Sequence, residues 1–576
     1  MSSLKAGVER WLPRHTARGR WARCVVGAAA TACLLAVCGR MEAPWFALLF
    51  VALVPWLWAL DSADSTAEAT AAGAMLSVAF AGLVFPWFPS TVERYSGAGS
   101  LPVWLLFLVA APLLEPQFIA FALVRHLARK RVPFLGASAA AAMVYVGTEL
   151  VLPKLFFDTL GLGLYPSVYL RQGADLLGVH GLTLLVLATN ELVRTSLRRA
   201  ADAPGAAPSA GRAPTPMSTR TVRALVCALG LVALATGYGA LRVAQLREST
   251  DGSGHVVGIV QANITSYDKL RAEKGAFETV RLILETHMAL SEQIRERSQP
   301  DLIVWPETVY PTTFGNPKSE AGAAFDDEIR GLVGETGIPL VFGAYDAEAG
   351  REFNAAFFLG APGRERPPTS YRKRMLFPLT EWVPAAIDSD WLRRELPWLG
   401  HWERGPGARV VELPLRGDRS LSVVPLICYD VLFPGFVAEA ARGGADLIVT
   451  LSNDSWFPDE RAPRLHLISA AFRSVETRLP QVRATNSGIS AMIAPTGELL
   501  ATTAWDRRET LVGRLGSTGR SVTLAMVLGP WLGPLLLGGA LVLLFALRRR
   551  PGLREPGEPL PQSKRRKRTK PGTRTK

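Results

Sequence analysis

Eight long apolar runs constrain this chain more than any other feature. Seven lie in roughly the first 240 residues, at about 22–38, 44–60, 68–89, 101–124, 132–152, 173–193 and 221–242, and the eighth covers about 522–547. Each approaches the ~20 residues an α-helix needs to cross a bilayer, where backbone polar groups must be paired within the segment. They predict a membrane α-helical bundle of about eight transmembrane helices. Basic residues orient it. Residues 1–23 carry six Lys and Arg, Arg125–Arg131 four, Arg194–Arg223 six, and the tail from Arg548 twelve against two Glu. The loops around 39–43, 90–100 and 153–172 hold few. The positive-inside rule then places both termini in the cytoplasm, a parity that eight spans satisfy, and turns the large segment between the last two spans outward.

The basic leader of the first run also suits a signal peptide, and Leu35-Ala-Val-Cys38 has the outline of a lipoprotein cleavage box. Val37 is bulky where a small residue belongs, and six spans follow closely, so an uncleaved helix is expected. The net charge of +14 is mostly a topology signal. Lys564-Arg-Arg-Lys-Arg568 beside a membrane helix reads as a solvated or lipid-touching tail rather than a nucleic-acid site, for which aromatic and fold signatures are missing. Ala201–Pro216, rich in Ala, Pro and Ser, reads as a disordered cytoplasmic linker. The expected divisions are an N-terminal bundle of about seven helices over 1–243, an outward domain over 244–520, a last span over 521–547 and a disordered basic cytoplasmic tail over 548–576.

Within the outward domain the pattern changes to short strands alternating with helices. Residues 256–261, 302–305, 340–344, 354–359, 422–428, 447–451 and 490–494 are short, aliphatic and bounded by turn residues, as buried strands are. Residues 272–297 predict a helix with Phe277, Val280, Ile283, Leu284, His287, Leu290 and Ile294 on one face, and 322–336 and 464–478 predict two more. About 275 residues of this kind suffice for one αβ domain with a buried core.

Chemistry-bearing side chains gather where these strands end. Cys428 closes the run from Leu421 and is the one cysteine of five outside an apolar run; Cys24, Cys33, Cys38 and Cys227 lie inside them. It has no disulfide partner in its domain. A free cysteine is usually a small buried hydrophobe, and that reading stands beside a nucleophilic one. Glu307 follows Leu302-Ile-Val-Trp-Pro306, with a helix-capping role as its alternative. Lys373 ends Tyr371-Arg-Lys373, with a surface charge as its alternative. Together the three form a nucleophilic set: Glu takes the thiol proton, the sulfur attacks a carbonyl, and Lys with a backbone N–H stabilises the oxyanion.

The order Trp305-Pro-Glu307, Tyr371-Arg-Lys373, Cys428-Tyr-Asp430 resembles the carbon–nitrogen hydrolase (nitrilase) superfamily, whose members use a Glu–Lys–Cys triad. Gly343-Ala-Tyr, Asn354-Ala-Ala, Ser452-Asn-Asp-Ser-Trp456 and Arg483-Ala-Thr-Asn486-Ser-Gly488 extend the resemblance over roughly 255–500. Such a domain between a seven-span bundle and a final span looks like the apolipoprotein N-acyltransferase family, and Gly178-Val-His-Gly-Leu182 resembles a segment common there. The resemblance implies a nitrilase-like αββα sandwich on the extracytoplasmic side of a bacterial inner membrane, in a multi-pass protein that is a monomer. It implies catalysis by Glu307, Lys373 and Cys428, with Glu381, Tyr429 and Asp430 in support. An acyl chain would pass from a phospholipid donor to the Cys428 thioester, then to the N-terminal amine of a diacylglyceryl apolipoprotein acceptor.

This chain departs from the family in Asp430, where Glu is usual, in lacking a Trp near Leu270, with Tyr267 the nearest aromatic, and in Pro458, where Gly commonly follows Phe. Trp382, Trp391, Trp398 and Trp402 predict a lid dipping into the outer leaflet, or alternatively a packed subdomain. No cofactor or metal is expected, since His-Glu-x-x-His is absent and the seven histidines are scattered; His466 reads as a support for the loop near Trp456. The competing readings are a membrane-tethered amidase that hydrolyses a C–N bond with the same triad, and a non-catalytic transporter or scaffold, for which Glu115, Glu149 and Asp175 would mark a path.

Overall fold

The computed structural model describes residues 16–156, 158–201, 219–248, 254–265, 267–362, 368–516 and 521–548. Six of its helices are long and apolar enough to cross a membrane: Ala17–Cys38, Thr66–Val84, Phe134–Val151, Leu170–Leu197, Thr221–Arg247 and Leu524–Ala546. A seventh span is counted if Ser100–Leu114 and Gln117–Ala128, bent by 46° where they meet, act as one. Pro112 and Pro116 flank that bend, each withholding a backbone N–H from the helical ladder. The predicted span at 44–60 is corrected to a shorter element, a 3₁₀ turn Trp45–Phe50 followed by a seven-residue helix Val54–Leu60. Pro44 and Pro55 interrupt what the hydropathy joins. The predicted linker and basic tail fall largely on 202–218 and 549–576, outside the described residues.

The remaining chain folds into two packed sheets. In the first, strands run in the order β13 (Glu509–Gly516), β1 (Gly254–Gln261), β2 (Leu302–Val304), β4 (Leu340–Glu348), β5 (Arg351–Leu359), β6 (Thr369–Arg372), with β3 (Tyr310–Thr313) also on β4. The second runs β12 (Leu499–Thr502), β11 (Ala491–Ile493), β10 (Gln481–Thr485), β9 (Leu447–Ser452), β8 (Ser420–Ile427), β7 (Val411–Pro414). The pairs β1–β2, β2–β4, β3–β4, β8–β9 and β9–β10 are parallel and the other pairs antiparallel.

Parallel strands covered on both faces read as unbroken apolar runs because successive side chains enter different cores. Val257, Ile259, Leu302, Val304 and Val341 join the second sheet's aliphatic side chains, whereas Val260, Ile303 and Phe342 meet helices Ala276–Ser298 and Glu320–Thr336. The helix expected over 272–297 breaks at Gly275, with a short helix Tyr267–Lys274 before it. Phe277 is corrected from the buried face: it is 48% exposed and stacks on Phe325.

The sandwich is bolted to the bundle at a kink. Helix Ala174–Ala201 is broken at Leu177 and at Gly178, whose φ of 68° favours glycine. The break frees the N–H of Val179, which donates to Glu476 (2.8 Å) at the end of helix Arg461–Thr477. Asp175 accepts from Arg478 (2.7 Å), Arg242 (3.0 Å) and Tyr238 (2.7 Å). Gly178–Leu182, singled out in the sequence, is thus the joint between the two parts.

Candidate active site

Each of the three candidate residues follows a strand of the sandwich. Trp305, buried with its indole N–H on Ser291 (2.8 Å), anchors the turn that carries Glu307 past the end of β2. That turn lies against β4 at Gly343, where a Cβ would come within 2.6 Å of the Glu307 Cα, so only glycine admits it. Lys373 follows β6, its N–H held by the Asn354 carbonyl (2.8 Å). Cys428 is the first residue after β8 and opens a 3₁₀ turn to Leu432 with φ of +46°, a strained value for a residue with a Cβ. Asp430 holds this turn: its carboxylate accepts from the Ile427 N–H (3.0 Å), the Met375 N–H (2.8 Å) and the Tyr371 hydroxyl (2.9 Å).

The polar cluster is continuous. Glu307 accepts from Lys373 Nζ (3.2 Å) and Asn354 Nδ2 (2.8 Å) on one oxygen and from the Asn453 N–H (2.9 Å) on the other. Lys373 also donates to Glu381 (2.7 Å), which accepts from Asn354 (3.1 Å) and from the Phe377 N–H (2.7 Å). Burial would lower the Lys373 pKa, but the charges of Glu307 and Glu381 overcome it and hold the ammonium well above its usual range. Burial pushes the Glu307 carboxyl up, against the pull of Lys373. Burial also pushes the Cys428 thiol up, reinforced by Glu307 and opposed by Lys373. The Cys428 thiol is thus held in its neutral form at rest rather than as a thiolate.

Glu307, Lys373, Glu381 and Cys428 all line one cavity of about 400 Å³. Its walls come from both halves of the molecule. The sandwich supplies Tyr345, Phe377, Trp398, Trp402 and Trp456, and helix Trp87–Ser96 of the bundle supplies Phe88, Thr91, Val92 and Ser96. Of the four candidate lid tryptophans, Trp398 and Trp402 face this cavity. Trp382 packs under Arg404 (4.1 Å), and Trp391 is 63% exposed.

Two family models match in tandem: "Apolipoprotein N-acyltransferase N-terminal domain" over residues 32–192 and "Carbon-nitrogen hydrolase" over 256–521. The chain belongs to the apolipoprotein N-acyltransferase family. Its similarity to relatives runs through both halves. It is 28% identical to the apolipoprotein N-acyltransferase of Bdellovibrio bacteriovorus over 79% of this chain and 81% of that protein. It is 28% identical to that of Geobacter metallireducens over 81% and 85%. An amidase from Nesterenkonia sp. superposes on 46% of this chain and 92% of its own, with 22% identity and a TM-score of 0.31.

Around the cluster of this family member lie groups the sequence placed less well. Tyr429 points away from the cavity's polar cluster, its hydroxyl donating to the Leu155 carbonyl (2.7 Å) in the bundle. Asp430, which stands where the family usually has Glu, ties the turn at Cys428 to Met375 and Tyr371. Burial raises its pKa to about 6, opposed by Lys373 and by its backbone hydrogen bonds. His466 lies beneath Cys428, with Nε2 3.2 Å from the Cys428 carbonyl. Arg483 and Asp454 back it: Arg483 donates to Asp454 (2.9 Å) and lies 3.1 Å from His466 Nδ1. Asn354 and Asn453 were visible only inside family-like motifs, since an amide's role depends on which carboxylate it meets. Helix Trp87–Ser96 as a wall had no sequence signal beyond the end of an apolar run.

Proposed function

We propose that this acyltransferase moves an acyl chain from a membrane phospholipid to the N-terminal amine of a diacylglyceryl-cysteine lipoprotein, by way of a thioester on Cys428. As the Cys428 sulfur attacks the ester carbonyl, its proton passes to Glu307, and Lys373 with a backbone N–H of the nucleophile turn stabilises the oxyanion. Collapse breaks the ester C–O bond and returns the proton to the departing lysophospholipid alkoxide. The acceptor amine then attacks the thioester, Glu307 takes an amine proton, and the thiol leaves reprotonated as the amide forms. Glu381 keeps Lys373 charged and in place. Residues 244–520 act as the catalytic domain on the extracytoplasmic side, and Trp391 is the lid residue that meets lipid.

The observation that carries this reading is the shared cavity: Cys428 and its carboxylate–ammonium cluster open onto a space whose other wall is a helix of the membrane bundle. A hydrolase acting on a soluble amide has no use for that wall. The test is to incubate the purified protein with phospholipid and measure its intact mass. An acyl adduct should appear that hydroxylamine removes, that Cys428→Ser abolishes as a thioester, and that a diacylglyceryl-cysteine peptide discharges to its amine. Hydrolysis of a soluble amide with no adduct from phospholipid would establish the amidase reading instead.

A further inference from the structure

A second cavity approaches Cys428. It measures about 420 Å³ and lies between the ends of helices Ala17–Cys38 and Thr66–Val84, the 158–163 turn and the start of helix Arg461–Thr477. A chamber of about 60 Å³ lies between it and the cavity described above. The chamber shares Phe377, Cys428 and Trp456 with the first cavity and Trp87, Asp158 and Leu465 with the second. Trp87 is braced edge-on by Phe156 (5.3 Å) and Phe457 (5.4 Å), so aromatic rings rather than backbone form much of the partition.

The second cavity is graded in polarity. Its floor is apolar and buried, including Leu49, Phe80, Leu160 and Leu162. Its rim is charged with both signs: it holds Arg40, Arg461 and Arg464 with Glu42 and Glu460, Arg464 lies 3.7 Å from the Glu42 carboxylate, and Arg461 pairs with Asp459 (2.5 Å) at its edge, where a phosphate would share the guanidinium. A lipid has this same gradient. Guanidinium groups suit a phosphate and carboxylates suit an ammonium, so a headgroup carrying both charges complements the rim. A purely anionic headgroup would face two carboxylates, and diacylglycerol would leave the rim unmatched.

We propose that this cavity is a second lipid site holding a zwitterionic phospholipid, separate from the substrate space at Cys428. The acyl-transfer reading gives it a use: two lipids must be handled in turn at one thiol, and a neighbouring site lets one be held while the other reacts.

The test uses the full chain with Cys428→Ser in lipid nanodiscs, so that occupancy is read without chemistry. Three probes are compared, each with a photoactivatable diazirine in its acyl chain: phosphatidylethanolamine, phosphatidylglycerol and diacylglycerol. Adducts are mapped by peptide mass spectrometry. With phosphatidylethanolamine, adducts are expected in 80–87 and 158–163 as well as in 88–96. Leu83→Trp, at an exposed side chain lining the second cavity, should lower the 158–163 adducts at least about fivefold and leave those in 88–96. Arg461→Ala with Arg464→Ala should cut the preference for phosphatidylethanolamine over diacylglycerol about fivefold. Absence of adducts in 158–163, or equal labelling by all three probes, overturns the proposal and leaves ordinary bilayer contact. Thioester formation by the unsubstituted protein, measured in parallel, shows whether the acyl-transfer reading itself has failed.

Discussion

Two buried lysines, each ringed by carboxylates, sit in different halves of this molecule. In the sandwich, Lys373 pairs with Glu307 (3.2 Å) and Glu381 (2.7 Å). At the bundle, Lys154 pairs with Glu115 (3.2 Å) and Asp158 (3.1 Å), with Glu149 at 3.9 Å. In charge and burial they are near equivalents. They differ in what stands beside them. Lys373 and its carboxylates border a cavity together with a thiol on a strained turn, and asparagine donors hold Glu307 in a fixed direction. The Lys154 cluster ties the bend at Glu115 to the loop after helix Phe134–Val151, and of its members Asp158 reaches a cavity wall. A buried ion cluster is therefore no sign of catalysis by itself; the adjoining nucleophile and the space for a substrate distinguish the two.

The largest expected effects come from treating the two lysines alike. Lys373→Met should lower the rate of thioester formation about 10³-fold per folded molecule, because the oxyanion loses its cation. Lys154→Met should instead cost about 3–5 kcal/mol of stability by leaving carboxylates buried without a cation, while the protein that stays folded keeps most of its rate. Adding Glu115→Gln and Asp158→Asn to Lys154→Met should recover much of that stability. Thermal unfolding and single-turnover acylation measured on all variants separate the two roles. A Lys154→Met protein with unchanged Tm and a collapsed rate would break the comparison.

The first cluster was legible in the sequence and the second was not, for a physical reason. Glu307 and Cys428 each close an apolar strand that the sequence shows, whereas Lys373 follows the short polar strand Thr369–Arg372 and was found only through the Tyr371-Arg-Lys373 motif of the family resemblance. Glu115 and Glu149 were visible as charges in apolar runs, but Lys154 and Asp158 lie in a loop where nothing in the local pattern says what they meet. Strands divide similarly. The aliphatic strands were found close to their observed bounds, whereas β10 escaped because its Gln481, Arg483 and Thr485 are polar yet fully buried. Their partners, Thr450 for Gln481 (2.8 Å) and Asp454 for Arg483 (2.9 Å), come from the neighbouring strand and the loop after it. The half-buried edge strand β13 and the short edge strands β7 and β12 carried too little alternation to declare themselves.

A further contrast is that the cluster at Cys428 has a carboxylate, Asp430, that accepts from two backbone N–H groups and the Tyr371 hydroxyl and from no cation among the described residues. Burial raises its pKa from 3.8 to about 6, so between those values the folded protein binds a proton that the unfolded chain releases. Its contribution to stability is fully present below about pH 3.8 and is lost as pH rises through about 6. The stability gap between the unsubstituted protein and Asp430→Asn should therefore shift against the former by up to about 3 kcal/mol from pH 4 to pH 7. Parallel unfolding curves at both pH values would remove Asp430 as the titrating group.

The smallest effect concerns His466, whose place in the catalytic half has no counterpart around Lys154. Burial, with Arg483 alongside, pushes its pKa down, so the ring is neutral at pH 7. Nδ1 has both Arg483 (3.1 Å) and the Asp454 carboxylate (3.3 Å) within reach, while Nε2 faces the Cys428 carbonyl, which can only accept, so it is a proton on Nε2 that makes this hydrogen bond. His466 thus holds the strained turn from behind instead of exchanging protons with the thiol. Replacing it with Ala should slow acylation about fivefold through one lost hydrogen bond, with KM nearly unchanged, and His466→Gln should restore most of the rate by supplying another N–H. Because burial already holds the ring neutral at pH 7, neither variant should move the pH–rate profile between about pH 7 and 8. A shifted profile, or a loss as deep as that of Lys373→Met, would make His466 a proton carrier and would move the catalytic base away from Glu307.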